Sequence, residues 1–301
     1  MQTYLITHDD LDGAGCEVII RKTFDADTVI AVHTDYKNIN QILHEVLLKV
    51  ENDSDSRLLI TDISPEGKRT ESLLDRLDTL YQADREVLLV DHHATTAHLS
   101  RYSWVVHVQD VCATRILYGM YKTTVSDDVT DAFTKAVDAY DRWQLDSSYR
   151  PRGEDLNRLY YFYGHKRFVS RFSVNPEDDK LAAGLVQMLR EKEDRDVSQA
   201  VEESEDYNQV LRKDSQGRVY YLLLVETYVS QTCHKILDTK PEVDYVVNLV
   251  LSKGKVDLRS RDNGVDVAEI AKRNGGGGHK PAAGFYVDSI ESLDKLLAPL
   301  F

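Results

Sequence analysis

The first hundred or so residues alternate between two hydrophobic periods. Short β-branched or aliphatic runs recur at 3–8, 28–33, 57–62, 86–91 and 104–108, each the length of a strand. Between them, residues 12–24, 36–50 and 66–82 place apolar side chains at three- and four-residue intervals, the spacing of a helix with one buried face. Strands alternating with helices predict βαβ units, and hence a parallel sheet covered by helices on both faces. Helical spacing continues at 111–124 and 127–143. The stretch 146–153 (DSSYRPRG) reads as a loop. Asn175-Pro176-Glu177-Asp178-Asp179 is a helix start, and the densely charged segment from Lys180 to about Tyr207 reads as one connecting helix. From Gly217 the pattern returns to strands, at 218–226, 245–252 and 256–260. A helix at 265–272, a glycine run at 275–278 and a last strand at 284–287 follow. The expected fold is therefore α/β: a parallel-sheet domain at 1–150, a helical connecting region at 151–210 and a smaller α/β domain at 211–301.

Composition narrows this picture. A chain of 301 residues, 42% hydrophobic and 29% charged, can bury one large core and a small one. No run of about 18 apolar residues appears, and Met1-Gln2-Thr3-Tyr4 lacks the basic flank and small-residue cleavage site of a signal peptide. A cytoplasmic protein with no membrane partner is expected. Cys16, Cys112 and Cys233 are far apart, form no CxxC pair and read as small core residues. The net charge of −14 opposes binding of long nucleic acid, which rests on many Lys and Arg contacts to phosphate. An acidic surplus is common for solubility alone, but several of these carboxylates fall where metal ions could neutralise them.

Three of the expected strands end in His8, Asp62 and Asp91, at the carboxyl edge where open α/β sheets place their ligands. His8-Asp9-Asp10-Leu11-Asp12-Gly13 brings an imidazole and alternate carboxylates off the first strand, with glycines opening a helix. Carboxylate oxygens with one or two imidazoles suit Mn²⁺ or Mg²⁺, and the missing thiolates argue against structural zinc; the same aspartates would also serve as helix caps. Asp62 follows a second apolar strand and is open to the same two readings. Asp91-His92-His93 is harder to explain as a cap, because adjacent imidazoles after a strand point to opposite sides of the chain and can serve different partners. Asp138 and Asp141 share a helical face that is also consistent with plain solvation.

These four segments, in this order, resemble the four motifs of the DHH phosphoesterase superfamily. The first pairs a His with Asp-x-Asp, matched by His8, Asp10 and Asp12; the second is a lone strand-end Asp, matched by Asp62; the third is Asp91-His92-His93. The fourth motif's Asp is most similar to Asp141, with Asp138 as the competing assignment. The resemblance implies two Mn²⁺ ions, with Mg²⁺ or Co²⁺ as substitutes. His8, Asp10 and Asp62 would hold one, and Asp12, Asp62, His92 and Asp141 the other. It also implies that His93 touches the phosphoryl oxygen or assists proton transfer while Asp91 orients the histidines.

Near the C-terminal end, Gly275-Gly276-Gly277-Gly278-His279-Lys280 follows Leu258-Arg259-Ser260-Arg261. Amides of a glycine turn approach phosphate closely, and His279 and Lys280 add donors. Together these segments resemble the DHH-associated domain, which implies that Arg259, Gly276, Gly277, Gly278 and His279 bind the nucleotide. The expected activity is hydrolysis of short oligonucleotides to mononucleotides, as in oligoribonucleases of this family. Cyclic or dinucleotide cleavage and the 3′-phosphatase reaction on adenosine bisphosphate are the enzymatic alternatives, and a non-catalytic nucleotide binder is the alternative of another class. The expected partner is the short nucleotide substrate, with a homodimer left open.

Overall fold

The computed structural model describes residues 1–67, 70–125, 127–205 and 211–287. Contacts divide the chain into two units, Met1–Met188 and Leu189–Phe301. The first contains β1 (Gln2–His8), α1 (Leu11–Thr23), β2 (Val29–Thr34), α2 (Ile39–Asn52), β3 (Ser56–Thr61), α3 (Thr70–Gln82), β4 (Val87–Asp91) and β5 (Val105–His107). Helices α4 (Ala113–Met120), α5 (Lys122–Val125), α6 (Asp128–Asp141), α7 (Arg150–Tyr163), α8 (His165–Val174) and α9 (Asp178–Leu181) follow. The unit boundary falls inside α10 (Ala183–Glu205).

The five strands form one sheet in the order β2-β1-β3-β4-β5, parallel at every pairing. Period-two alternation sends Ile6, Leu58 and Ile60 to one face, where they pack with Ile39, Leu43 and Leu47 of α2 and Leu74 and Leu77 of α3. Leu5, Leu59 and Val90 go to the other face, against Cys16, Ile19 and Ile20 of α1 and Leu117 of α4. Each fully buried Leu or Ile contributes about 1.5–3 kcal/mol, so both helical layers are held by the same strands. Because β2 and β3 lie on opposite sides of β1, the connection direction reverses between β1 and β3. Open α/β sheets place their ligands outside the carboxyl ends of the strands at such a reversal.

Three sequence expectations change here. Residues 146–153 are not all loop: α7 begins at Arg150 with Pro151 in its first turn and ends at Gly164, φ +68. Proline at the start is tolerated because its missing N–H would be unsatisfied there in any case. The expected helix at 111–124 is two helices, broken at Tyr121. Helices α7 and α8 pack within the first unit, where α6 meets α7 and α1 meets α8. Lys180 lies in α9, and the long charged helix starts only at Ala183.

The second unit adds β6 (Leu211–Lys213), β7 (Val219–Leu223), α11 (Val229–Thr239), β8 (Tyr245–Val250), β9 (Lys255–Ser260), α12 (Val267–Arg273), β10 (Gly277–His279) and β11 (Ala282–Tyr286). Its sheet runs β10-β11-β9-β8-β7-β6 and is antiparallel except between β7 and β8. Tyr221 and Val246 pack on one face with Cys233, Ile236 and Leu237 of α11. Val247, Leu258 and Ala283 pack on the other with Val267, Ala268 and Ala271 of α12. All three cysteines are buried and free, as core residues. Among the described residues no helix is long and apolar enough to cross a membrane.

Candidate metal centre

The carboxyl edge of the parallel sheet collects the four N-terminal motifs in one place. His8 ends β1, and Asp10 caps α1 by accepting from the Gly13 amide at 2.9 Å. Gly13 is required here: a Cβ would come 2.0 Å from the His8 carbonyl oxygen. The helix therefore starts tight against the strand end, and Asp10 Oδ2 meets His8 Nδ1 at 2.6 Å.

Asp62 follows β3 in the left-handed region, φ +61, a conformation that costs a non-glycine residue of order 1–3 kcal/mol and concentrates at functional sites. It is fully buried. From this position Oδ2 faces His8 Nδ1 at 3.7 Å, and Oδ1 faces His92 Nε2 at 3.3 Å and His93 Nδ1 at 3.8 Å. Neither oxygen accepts a hydrogen bond among the described residues. Asp141, at the end of α6, brings Oδ2 to 3.4 Å from His92 Nε2, and Asp12 Oδ2 lies 3.8 Å from the same nitrogen.

The competing pair Asp138 and Asp141 separates clearly in space. Asp138 is spent on structure, accepting from the Cys112 amide at 2.6 Å and from Gln144 Nε2 at 3.0 Å. Asp141 Oδ2 is buried in the cluster without a hydrogen bond among the described residues. Asp12 does both jobs. Its oxygens accept from the Ala113 and Thr114 amides at 2.8 and 2.9 Å, at the start of α4, and a carboxylate has lone pairs to spare beyond these.

Asp91 is the organiser of the histidine pair. Its Oδ1 accepts from the His92 amide at 2.7 Å, the His93 amide at 3.2 Å and His93 Nδ1 at 2.8 Å. Thr96 Oγ1 donates to Asp91 Oδ2 and stands 2.7 Å from Ser64 Oγ, and His107 Nε2 meets the His93 carbonyl at 2.9 Å. Sequence patterning gave no reason to single out Thr96, Ser64 or His107, because their part is played through other residues.

Electrostatics make the cluster unfavourable without a cation. Burial and then the neighbouring Asp12, Asp10 and Asp141 carboxylates push Asp62 well above the usual carboxylate range. Burial with Asp12 and Asp10 does the same to Asp141. Burial would lower His93, but contact with Asp91 outweighs it and raises the imidazole to about 9. Burial, followed by the charge of His93, lowers His92, which keeps it the neutral imidazole that a metal requires. His8, Asp10 and Asp62 present ligand atoms within 4.8 Å of one another, as do Asp12, His92 and Asp141. Hard oxygen donors with imidazole, and buried Asp62 oxygens lacking donors, fit a pair of divalent cations.

The C-terminal residues lie in the second unit. Arg259 on β9 and His279 on β10 are each paired in register with Ala282 of β11; directly opposed residues share a face, so both side chains flank Ala282 on one side of the sheet. Arg259 Nη2 contacts Ser230 Oγ at 3.0 Å, near the start of α11. Arg261 is used structurally, donating to the Val243, Leu237 and Lys240 carbonyls. The glycine run is not a simple turn, since Gly277 and Gly278 belong to β10. The Gly276 amide bonds to the Ala271 carbonyl at 2.9 Å, so that donor is committed inside the unit, contrary to the expectation of a run of amides offered to phosphate. A Cβ on Gly276 would come 2.1 Å from the Gly284 carbonyl oxygen; close strand packing requires glycine there.

Comparison with known proteins places this architecture. Residues 227–300 match the DHHA1 domain. Over 299 residues, the chain is 27% identical to the oligoribonuclease NrnB of Bacillus subtilis, covering 93% of this chain and 72% of that protein. A DHHA1 domain near the C-terminal end and this relative match the resemblance of the four motifs to the DHH superfamily. The chain is also 20% identical over 334 residues to a 3′,5′-cyclic-nucleotide phosphodiesterase of Helicobacter pylori, covering 96% of this chain and 94% of that one. The fold is shared with RecJ of Thermus thermophilus crystallised with Mn²⁺, at a TM-score of 0.60 and 15% identity, over 99% of this chain and 50% of that one. These relationships support a hydrolase of nucleotide phosphodiesters.

Proposed function

We propose that this protein is a two-metal phosphodiesterase that hydrolyses short oligonucleotides to mononucleotides in the cytoplasm. The observation that carries the reading is the convergence of His8, Asp10, Asp12, His92 and Asp141 around Asp62, whose two buried oxygens accept no hydrogen bond among the described residues. In this reading His8, Asp10 and Asp62 would hold one ion, and Asp12, Asp62, His92 and Asp141 the other. A bound pair of Mn²⁺ ions would polarise the phosphoryl oxygen and supply hydroxide at neutral pH. His93, turned and charged by Asp91, would donate to the phosphoryl oxygen or pass a proton to the leaving group. Asp91 is the positioning residue for that step.

Support for manganese comes from the ion in the Thermus thermophilus structure, and support for short RNA from the name of the Bacillus subtilis relative. We assign residues 1–150 the chemistry and 211–301 the grip on the nucleotide; of the expected connecting region 151–210, α7 and α8 pack in the first unit. Arg259 and His279 would supply the phosphate contacts, and Gly276, Gly277 and Gly278 the close packing that holds His279 in place. A second reading, cleavage of cyclic nucleotides, draws on the Helicobacter pylori relative. The test is product analysis with Mn²⁺ on dinucleotides, cyclic mono- and dinucleotides, adenosine bisphosphate and a 20-mer. Mononucleotides released fastest from the linear dinucleotides would bear out the proposal. Faster turnover of a cyclic substrate would replace it with the second reading, and inertness toward all of them would remove the enzymatic assignment.

A further inference from the structure

A second group of metal-ligating side chains lies in the first unit, apart from the centre around Asp62. Glu17 stands on α1, buried to 3% side-chain exposure; His33 lies on the edge strand β2 at 5%, and His165 opens α8 at 27%. The turn that delivers His165 depends on Gly164, whose φ of +68 lies in the left-handed region. Both imidazoles point at one oxygen. His33 Nε2 is 2.7 Å from Glu17 Oε2, and His165 Nε2 is 3.2 Å from it.

The other carboxylate oxygen is fixed from outside the group: Arg21 Nε binds Glu17 Oε1 at 2.6 Å, and Arg21 Nη1 is itself anchored on the Ala26 carbonyl at 2.7 Å. Such an outer partner orients a ligating carboxylate and leaves its second oxygen aimed inward. The rings of His33 and His165 face each other with centroids 3.1 Å apart and planes at 33°. Two imidazolium cations cannot share that spacing without strong repulsion, so at least one ring is neutral; binding an ion requires that both be. The His33 ring is also incompletely satisfied by hydrogen bonds, since its buried Nδ1 has no partner among the described residues.

We propose that Glu17, His33 and His165 bind one divalent transition-metal ion, additional to any held around Asp62. The three ligand atoms lie within 4.8 Å of one another and come from three separate elements, so one ion would tie α8 to α1 and to the sheet edge. Two imidazole nitrogens with one carboxylate oxygen is a borderline donor set. It takes Zn²⁺, or Co²⁺ as a spectroscopic stand-in, in preference to Mg²⁺. Partial exposure of His165 gives the ion an entry path and leaves a coordination position for water.

The experiment compares wild-type protein with His165→Gln and His33→Gln, each stripped with a chelator, re-equilibrated with Zn²⁺ and measured for bound metal per chain and for melting temperature. Each variant is expected to hold one ion fewer than wild type and to lose part of the Zn²⁺-induced rise in melting temperature. With Co²⁺, the wild-type minus variant spectrum should show the visible bands of an imidazole-carboxylate site. The difference between proteins reports this group alone, whatever occupies the centre around Asp62. Should His33→Gln fail to fold, His165→Gln decides, because its side chain reaches the surface. Equal metal content in wild type and His165→Gln would overturn the proposal and leave the three residues as a hydrogen-bonded latch. Equal filling by Mg²⁺ and Zn²⁺ would overturn the ligand chemistry.

Discussion

Asp62 Oδ1 lies 3.3 Å from His92 Nε2, a relationship made between the ends of neighbouring strands β3 and β4 with the Asp62 backbone in the left-handed region. Around these two residues the sheet gathers groups that lie far apart in sequence, from His8 to Asp141. The carboxylates repel one another when no cation is present, and that repulsion gives the first prediction.

Asp62→Asn should abolish Mn²⁺-dependent turnover, by at least about a hundredfold, because changes near a metal already cost 10- to 100-fold when they touch only the partners of its ligands. The same substitution should leave the metal-free protein as stable as wild type or more so. It replaces a group whose charged form is opposed by burial and by Asp12, Asp10 and Asp141, and asparagine adopts a positive φ readily. Turnover in Mn²⁺ and melting temperature in chelator are the two measurements. Retained activity, or a large loss of stability in chelator, would show that Asp62 is a structural cap.

Asp138 and Asp141, three residues apart on α6, should fail in different ways. Asp141→Asn is expected to lose activity with little change in the stability of the metal-free protein, since no described hydrogen bond is broken at its buried oxygen. Asp138→Ala gives up the bond from the Cys112 amide and that from Gln144 and should cost about 1–3 kcal/mol of stability. Urea melts and kcat on the same preparations separate the two. The reverse pattern would move the fourth ligand to Asp138.

Much of the first unit was legible because a parallel strand buried on both faces writes an uninterrupted apolar run, and the polar residue that ends it marks the edge where the candidate ligands gather. Leu58-Leu59-Ile60 before Asp62 and Leu88-Leu89-Val90 before Asp91 are such cases. What escaped were elements whose signals are short or carried by the partner. β10 is built on glycines, which have no side-chain period to read, and α11 spaces Val229, Cys233, Ile236 and Leu237 helically but begins after a left-handed Tyr228 without a capping side chain. The start of α7 hid behind Pro151 in a stretch rich in turn residues. The preference for Asp141 over Asp138 rested on the resemblance alone, because both occupy the same helical face and the sequence does not reveal that Asp138 is engaged by the Cys112 amide.

Substrate length should matter in a direction set by charge. With a net charge of −14, long polyanions gain few favourable contacts, so binding that rests on phosphate number is weak. Oligonucleotides of about two to five residues are expected to turn over much faster than 20-mers, because only their ends can be gripped by one small domain. A rate series against length at fixed salt makes the comparison. Rates climbing steadily with length would point instead to a processive exonuclease.

The sharpest separation of chemistry from grip uses the face shared by Arg259, Ala282 and His279. Arg259 and His279 are each in register with Ala282, so their strand positions stand about 10 Å apart, two strand spacings, with the small Ala282 between. A phosphate or ribose could lie across that gap. Arg259→Ala or His279→Ala should lower kcat/KM for a dinucleotide by about ten- to 150-fold, the loss of one charge-assisted contact of roughly 1.5–3 kcal/mol. Part of that loss should appear in kcat, since binding energy remote from the reacting bond can be used in the transition state. Ala282→Leu should act likewise by filling the gap, although it removes no polar group. A small chromogenic phosphodiester, which has no terminal nucleotide for this face to hold, should be hydrolysed by all three variants at close to the wild-type rate. Equal losses on both substrates would mean that the substitutions disturb the enzyme generally, and full dinucleotide activity in Ala282→Leu would place the nucleotide elsewhere.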